Sequence, residues 1–483
     1  MSTYQDSQRP SWGRRRPGRL LAGGLVASGL VVGATGLVGV AGAAAAHHDR
    51  PFASENAYAA GDDSARDRGW ERRAAPVPCD SAKLIAALVR VNAEGGGALR
   101  LAPRCTYTLT DAFHQPDAYD GGIRDAREAA DAAENPGQAE KPPRNPADDK
   151  AGLPVIYHPV MIEGEHATIE RRRDAEDFRF FTVRDAGELT LRNVTLVGGR
   201  SAAEGGAVHV VHGASAVIER VTALHNTSYS AEGGGGALFN DGNMVVRDST
   251  LVDNHAYGRE GKGGGLLNNG VLTLHSSTFE GNSAAAYGGG LGNYQAAAEV
   301  HTSTFERNSA AQGGGLASFS ARTRVSDTKV VGNRAQTGGG IANSDALIFL
   351  RDMEIRGNVA SGDGGGVSSF QGLVPLDDSV VAGNTAHGSG GGVYAAKSNL
   401  LVRDSTVRHN AAVGARSHGG GVAVSMGRVA LYRSLVAENR STLPAGGLDV
   451  DKAQATVGPK TVVAENRPSN CMGSTSPVPN CFR

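Results

Sequence analysis

Several residue classes are scarce in this chain, and each shortage excludes a class of protein. Aromatic residues make up only 5% of the 483 residues, too few for a conventional globular core. The 68 glycines do not follow the strict triplet of collagen, and regularly recurring apolar positions argue against low-complexity disorder. The formal net charge is −1, without the concentrated basic face that nucleic-acid binding requires. We therefore expect no nucleic-acid partner.

Cysteine is also rare, and its placement indicates an oxidising compartment. Cys79 and Cys105 lie near the start of the region predicted to fold, and Cys471 and Cys481 lie at its end. Four cysteines allow three pairings, of which sequence proximity favours Cys79–Cys105 and Cys471–Cys481. A metal site is the weaker alternative, because no close cysteine or histidine spacing accompanies them.

Residues 1–46 have the pattern of an export signal. Arginines 14, 15, 16 and 19 precede an apolar, glycine- and alanine-rich stretch over residues 20–46. That stretch is long for a cleaved signal, so an uncleaved membrane anchor is the alternative. Both interpretations place the rest of the chain outside the cell, and we expect a secreted or cell-surface protein.

The chain is dominated by a repeat of glycine runs followed by asparagines. The distance from the last glycine of a run to its asparagine is 18 residues in seven repeats, 17 in one and 19 in one. The return distance, from each asparagine to the last glycine of the next run, varies from 7 to 11 residues. One half of the repeat is therefore constant, and the other half tolerates insertion.

This period predicts an all-β, single-stranded, right-handed parallel β-helix of about twelve coils. A period of 25 to 29 residues with several short β-branched runs has too many strand signals for paired-helix repeats. Apolar residues recur eight and three positions before each asparagine, as at Val325 and Val330 before Asn333. Coils that stack at about 4.8 Å would align these positions into continuous interior columns.

The ends and one insertion depart from this repeat. Residues 47–78 are expected to be a flexible linker, and residues 79–483 the β-helix domain. Asp80 or Ser81 should cap a helix whose apolar face covers the open end of the solenoid. Residues 112–150 are rich in Asp, Glu, Pro and Ala, and are predicted to be a disordered insertion between coils.

Two groups of motifs resemble known β-helix families. Phe279-Glu-Gly-Asn282 and Gly235-Gly-Ala-Leu238 are similar to the repeats of polymorphic outer-membrane proteins. The segments Gly152–Ile156 and Ala167–Arg171, with the terminal Asn-Cys pairs, resemble secreted right-handed β-helix proteins of actinobacteria. The resemblance covers residues 79–483 apart from the insertion, and it implies a pectate-lyase-like architecture. That superfamily includes both enzymes and adhesins, so activity is not implied.

The asparagines are predicted to form a structural ladder rather than a catalytic motif. A stacked asparagine at a turn can adopt a left-handed conformation and hydrogen-bond neighbouring backbone groups. The predicted ladder consists of Asn254, Asn282, Asn308, Asn333, Asn358, Asn384, Asn410 and Asn439. A second column with the same interpretation begins at Asn240, Asn268 and Asn293.

An acidic column lies six positions before the asparagines, at Asp248, Asp327, Asp352, Asp378 and Asp404. One interpretation is that each aspartate caps its own turn and is neutralised by an adjacent arginine, as Arg403 would neutralise Asp404. Bound Ca²⁺ is the alternative, which is disfavoured because the glycine-rich calcium-binding nonapeptide is absent. No other metal and no cofactor is expected.

The variable half of the repeat is the predicted location of any ligand site. Its segments are shortest over five consecutive coils, which predicts a trough about 24 Å long with higher walls at both ends. The predicted ligand-binding floor consists of Tyr287, Gln312, Arg334, Gln336, Asp363 and His387. The predicted walls carry Tyr257, Glu260, Lys262, Arg416 and His418. The alternative is a row of solvated loops without a ligand.

The residues in this trough predict binding rather than catalysis. Glycoside hydrolysis needs two facing carboxyl groups, whereas Asp363 is the single carboxylate of the predicted floor. The function predicted is a non-catalytic binding scaffold that takes a polysaccharide or cell-surface glycan. The alternatives are a lyase or hydrolase acting on an acidic polysaccharide, and a purely structural envelope component.

Overall fold

The computed structural model describes residues 74–114, 150–184 and 186–481. The predicted export segment 1–46, residues 47–73 of the predicted linker, and most of the predicted insertion 112–150 lie outside the described residues. The described residues form a parallel β-solenoid, which confirms the predicted fold class. All strand pairings among them are parallel, and each strand pairs with the equivalent strand of the neighbouring coil.

The largest of three sheets, here called the long sheet, has 25 strands in two adjoining columns. The first column contains Ala75–Val77, Gly97–Leu101, Pro159–Arg171, Glu188–Val197, Ser215–Glu219, Asn243–Arg247, Val271–His275, Ala297–His301, Arg322–Ser326, Leu347–Arg351, Leu373–Asp377, Asn399–Arg403, Arg428–Tyr432 and Gln454–Val457. The second column contains Thr106–Leu109, Thr222–Leu224, Thr250–Val252, Thr278–Glu280, Thr304–Glu306, Lys329–Val331, Glu354–Arg356, Val380–Ala382, Thr406–Arg408, Leu435–Ala437 and Val462–Ala464.

Two further sheets complete each coil. The short-strand sheet has ten strands: Arg200–Ser201, Thr227–Ser228, His255–Ala256, Ser283–Ala284, Ser309–Gln312, Arg334–Thr337, Val359–Ala360, Thr385–Ala386, Ala411–Ala412 and Arg440–Ser441. The third sheet has eleven: Phe181–Val183, Val208–Val210, Leu238–Asn240, Leu266–Asn268, Leu291–Tyr294, Leu316–Phe319, Ile341–Ser344, Val367–Phe370, Val393–Ala396, Val422–Ser425 and Leu448–Asp451.

The solenoid has about 14 turns rather than the predicted twelve. At the N-terminus, Ala75–Val77, Gly97–Leu101, Pro159–Arg171 and Glu188–Val197 stack in order ahead of the glycine–asparagine repeats. The first of these strands lies inside the predicted linker, so the solenoid begins before residue 79.

Apolar columns fill the interior because side chains alternate between the two faces of each strand. Val325, Val330 and Ile341 of one coil are at most 2% exposed, and they belong to one hydrophobic cluster that runs through the solenoid. Burying a single side chain of this kind stabilises the fold by about 1.5–3 kcal/mol. A lone coil would leave one side of every column open, so stability depends on stacking.

One helix, Ser81–Ala93, occurs among the described residues. The carboxylate of Asp80 caps it by accepting a hydrogen bond from the Lys83 amide at 3.0 Å. Leu84 and Leu88 are fully buried and join the core cluster beside the first strands, as the amphipathic pattern predicts.

Disulfides confirm the predicted cysteine pairing at both ends. Cys79 is bonded to Cys105, and Cys471 is bonded to Cys481. The chain between Cys471 and Cys481 returns across the last strand of the third sheet, where the Ser474 hydroxyl accepts a hydrogen bond from the Val450 amide at 3.1 Å. The terminal segment thereby covers backbone groups that an open sheet edge would leave unpaired.

The asparagine column is a continuous buried hydrogen-bond ladder. Asn333 donates from Nδ2 to the Phe305 carbonyl at 2.9 Å and to Asn358 Oδ1 at 3.0 Å. Its own Oδ1 accepts from the Asn308 amide at 2.9 Å. The left-handed backbone conformation falls on the residue before each asparagine, as at Gly332, and not on the asparagine itself. That residue turns the chain, and the asparagine side chain satisfies the backbone groups at the turn.

The glycine runs form the corner between the short-strand sheet and the third sheet. Gly313 has φ +66°, and a Cβ there would lie 2.2 Å from the Leu316 carbonyl oxygen. A Cβ on Gly314 would lie 2.4 Å from the Gly339 carbonyl oxygen of the next coil. Coils cannot approach this closely with a larger residue at either position.

The acidic column occupies a second left-handed turn, inside the long sheet. Asp327, Asp352 and Asp404 have φ of 50°, 51° and 49°, a conformation that aspartate tolerates better than most residues. The predicted pairing of Asp404 with Arg403 does not occur, because Arg403 bonds Asp377 at 2.6 Å and Asp404 bonds Arg433 of the following coil at 2.6 Å. Arg351 does pair with its sequence neighbour Asp352, at 3.3 Å, so the predicted pairing is confirmed in that coil and replaced by a pairing between coils at Asp404.

Candidate functional site

Longer excursions stand at both ends of the short-strand sheet. At one end, residues 229–234 and 257–262 stack on each other, with the Glu260 amide donating to the Ala231 carbonyl at 2.9 Å. At the other end, residues 413–418 and 441–446 stack in the same way, with the Leu443 amide donating to the Ser417 carbonyl at 3.0 Å. The first wall therefore consists of two longer segments, whereas in the second wall only 413–418 is longer than the trough segments, and residues 441–446 pack against it.

The face between these walls is called the trough. It is formed by the outward side chains of five coils: Ser283, Ala285, Ser309, Ala311, Arg334, Gln336, Val359, Ser361, Thr385 and His387. They alternate with the inward alanine column that includes Ala284, Ala360 and Ala386. Most are small, so the floor is low compared with the walls.

The six predicted floor residues divide between two neighbouring surfaces. Arg334, Gln336 and His387 lie exposed on the trough floor. Tyr287, Gln312 and Asp363 lie one column further along the chain, at the glycine corner, where Tyr287 pairs with Gln312 across adjacent coils. The residues directly after an asparagine form the short strand. The chain then turns into the glycine run, so side chains at the fourth and fifth positions leave the trough floor.

The Tyr287 side chain extends toward the third sheet rather than into the trough. Its ring centroid lies 5.4 Å from that of Phe319, which stacks on Tyr294 at 5.1 Å. The ammonium of Lys262 lies 5.0 Å from the Tyr294 ring centroid and donates to the Glu232 carbonyl. Burial lowers the pKa of Lys262. These rings and this cation contact one another, so a packing role accounts for them.

The two outward columns of the short-strand sheet carry arginines. Among the described residues, neither column contains Asp or Glu from Arg200 to Arg440, whereas the columns hold Arg200, Arg334 and Arg440. Arg334 forms no ion pair with any described residue. A carboxylate-free floor with an unpaired guanidinium is favourable for an anionic ligand.

A second group of polar residues lies on the outward face of the third sheet near its C-terminal end. One outward column there holds small residues, Gly292, Ala317, Ala342, Ser368 and Ala423, in five coils. Tyr394 and Asp449 break this column. Together with Asp363, His418 and Asp451 they form what is called the third-sheet cluster.

Contacts at the glycine corner hold two members of this cluster in place. Asp363 accepts a hydrogen bond from the Ser389 amide at 2.6 Å, and Ser389 Oγ accepts from the His418 amide at 3.1 Å. The His418 ring donates from Nδ1 to the Pro444 carbonyl at 2.5 Å, which leaves Nε2 as the free ring nitrogen.

Burial in the third-sheet cluster favours the protonated form of the Asp449 carboxyl group. Burial raises the pKa of Asp449 to about 6; His418 opposes this shift and Asp451 adds to it. Burial likewise raises the pKa of Tyr394, with Asp363 and Asp451 acting in the same direction. Sequence reasoning missed Tyr394, Asp449 and Asp451, although the break in a column of small residues was a signal for the first two.

Within the described ranges, no group of three or more His, Cys, Asp or Glu side chains is arranged to hold a metal ion. A search for membrane-spanning helices over the same ranges found none of sufficient length and apolarity.

Comparison with known proteins found one solved structure that is similar to this chain. No protein-family model matches the chain, and no curated protein matches it. The A-module of the mannuronan C-5 epimerase AlgE4 from Azotobacter vinelandii is similar over 80% of this chain and 95% of its own, with 14% sequence identity and a TM-score of 0.43. A likeness at this level carries no information about activity or substrate.

Proposed function

We propose that this protein is an exported, non-catalytic scaffold that binds an acidic polysaccharide along the trough, as an adhesin-like or glycan-binding protein. The observation that carries the proposal is the trough itself, which is walled at both ends and bears Arg334 and His387 without a carboxylate on its floor. Anionic sugars lying on the floor would be attracted by Arg334 and would meet no carboxylate of the floor.

The stacking geometry favours an extended chain over a compact ligand. Coils repeat at about 4.8 Å, so equivalent groups recur along the axis at a spacing close to the length of one sugar unit. Three successive coils each offer the ligand one polar side chain, from Gln336, Ser361 and Thr385. Each such contact is weak, and affinity would grow with the number of sugar units bound.

Export is part of the proposal and agrees with the two disulfides, which persist in oxidising compartments. The signal or anchor in residues 1–46 stays a prediction. The resemblances to secreted actinobacterial β-helix proteins and to polymorphic outer-membrane-protein repeats also stay predictions, because no family model matches.

Binding of the full chain to polygalacturonate, alginate and the neutral oligomer cellohexaose tests this proposal. We expect the two anionic polymers to bind, with an affinity that falls as salt is raised. Arg334→Ala should weaken binding about five- to ten-fold, because a charge-assisted hydrogen bond is lost. Arg428→Ala removes an exposed arginine from the long sheet and is the matched control. Equal effects of the two variants, or stronger binding of cellohexaose, would contradict the proposal.

The third-sheet cluster supports an enzyme as the second candidate. A carboxyl group that keeps its proton near pH 6, beside a histidine with a free ring nitrogen, is the arrangement that general acid–base catalysis uses. The reaction class would be a lyase or hydrolase acting on an acidic polysaccharide. Release of unsaturated or reducing ends from polygalacturonate or alginate, abolished in Asp363→Ala or Asp449→Ala, would replace the binding proposal with this one.

A further inference from the structure

The wall at the N-terminal end of the trough carries two exposed tyrosines. Tyr257 is 57% exposed and Tyr229 is 39% exposed, in a chain with few aromatic residues. The equivalent positions in the five coils of the trough hold Ala285, Ala311, Gln336, Ser361 and His387. Tyrosine rings therefore occur where the floor ends and at none of the five trough positions of this column.

The rings are held in fixed orientations by their neighbours. Tyr229 and Tyr257 stack with centroids 6.0 Å apart and planes 25° apart, and His255 stacks on Tyr257 at 5.0 Å. The Arg200 guanidinium donates to the Tyr229 hydroxyl at 2.7 Å and pairs with Asp177 at 3.3 Å. His255 Nδ1 contacts the Ser283 hydroxyl of the first trough coil at 2.7 Å. Little side-chain entropy remains to be lost when a ligand binds.

The excursion that carries Tyr257 is packed tightly against the preceding coil. A Cβ on Gly258 would lie 1.6 Å from the Ser230 carbonyl oxygen, so glycine is required for the two excursions to stack. In the direction of the trough, the next coil offers only Ala285 at the equivalent position. The Tyr257 ring therefore meets no large side chain of the first trough coil.

The opposite wall differs. Its residue in the same column is Val413, which is 39% exposed and offers no ring. The two ends of the trough are thus chemically unequal, and a chain lying between them would meet a tyrosine wall at one end alone.

We propose that Tyr257, positioned by Tyr229 and His255, is an anchoring subsite that receives the terminal sugar of the acidic chain held in the trough. Tyr229 and His255 stack on the Tyr257 ring and leave 57% of the residue exposed, and the exposed part of the ring can attract the C–H groups on the apolar face of a pyranose. Arg200 is a positioning residue that fixes Tyr229. This inference rests on the proposed function, and it adds that one end of the bound chain contacts Tyr257.

Oligogalacturonates of defined length, titrated into the full chain, test the anchor. Tyr257→Ala should weaken binding of a hexamer about ten-fold, and Tyr257→Phe should keep nearly all of the affinity because the ring is retained. Tyr432→Ala removes a tyrosine that is 37% exposed on the long sheet and serves as the matched control. Irradiation of the aromatic protons should transfer magnetisation to the bound hexamer in the native protein and much less in Tyr257→Ala.

The outcomes separate this inference from the proposal beneath it. If Arg334→Ala weakens hexamer binding and Tyr257→Ala does not, the trough binds without an anchor and the inference is overturned. If Tyr257→Ala acts and Tyr257→Phe acts equally, the hydroxyl rather than the ring is responsible, which also contradicts it. If the native protein binds no acidic oligomer, both the proposed function and the anchor fail.

Discussion

The two halves of each coil follow different rules. From glycine to asparagine, the chain forms the third sheet and the long sheet, and the distance stays within one residue of 18. From asparagine to glycine, it forms the short-strand sheet and the glycine corner, and the distance varies from 7 to 11 residues. The constant half contains most of the interior columns, and the variable half contains the trough and its walls. Regularity therefore marks the scaffold, and irregularity marks the surface that can be adapted.

Hydrogen bonding explains why the constant half cannot vary. Between the third sheet and the long sheet, Asn293 donates to the Thr323 hydroxyl of the next coil at 2.8 Å, inside a buried corner. An extra residue there would move such groups out of register. In the variable half, the excursion 257–262 bonds to another excursion and leaves the interior unchanged.

The largest effect is expected from an insertion into the constant half. Adding Gly-Ser-Gly between Ala321 and Arg322 should shift the register of the following strand by three residues. Because three is an odd number, Thr323 and Val325 would then face outward. We expect a loss of about 5 kcal/mol or more in the free energy of unfolding, or no folded protein. Circular dichroism and denaturant unfolding would show this. A native unfolding midpoint would mean that the constant half is not constrained by packing.

A single change in the asparagine ladder should have the next largest effect. Asn333→Ala removes the partners of the Phe305 carbonyl and the Asn308 amide, both buried, and should lower the free energy of unfolding by about 4 kcal/mol. Asn399→Ala, at an exposed position, is the control and should change it by less than about 0.5 kcal/mol. Polysaccharide affinity of the folded Asn333→Ala protein should be native. Equal stability of the two variants would refute the ladder's structural role.

A smaller effect is expected from the acid of the third-sheet cluster. The pKa of Asp449 is about 6 in the folded protein against 3.8 for the unperturbed group, so the folded state binds the proton more tightly. Its contribution to stability is present below pH 3.8 and is lost as the pH rises toward 6. Asp449→Asn should therefore raise the free energy of unfolding at pH 7 by about 1–2 kcal/mol, allowing for partial exposure.

Denaturant unfolding between pH 4 and 7 measures this difference. The stability of the native protein should fall relative to Asp449→Asn across that window. Parallel curves for the two proteins would show that burial does not perturb the Asp449 carboxyl group.

Sequence periodicity was sufficient to predict the solenoid because stacking makes each structural demand recur at a fixed distance. The buried residues Val325 and Val330 and the asparagine ladder could be identified from the spacing alone. The disulfides followed from sequence proximity. The first strand, Ala75–Val77, was not predicted because it lies in a segment whose composition is that of a flexible linker.

The candidate sites were harder to predict from the sequence, because they depend on the direction in which each side chain points. Trough-floor residues follow their asparagines by one or three positions, and Tyr287 and Asp363 follow theirs by five. That small difference in sequence moves both residues onto the glycine corner, beside the third sheet. Tyr394 and Asp449 are separated by 55 positions in the chain and belong to one column only once the coils are stacked. The turn at Asp404 showed the same limitation, since its partner Arg433 comes from another coil.

The central claim is that the constant half builds the scaffold and the trough of the variable half binds the ligand. Inserting Gly-Ser-Gly between Ala311 and Gln312 places a new excursion in the second of the five trough coils, with a length like that of the longer wall segments. The most direct test is the polygalacturonate affinity of this variant, measured together with its unfolding midpoint. We predict a nearly native midpoint and an affinity at least about ten-fold weaker, since the chain can no longer lie along five coils. Native affinity with a native fold would contradict the account.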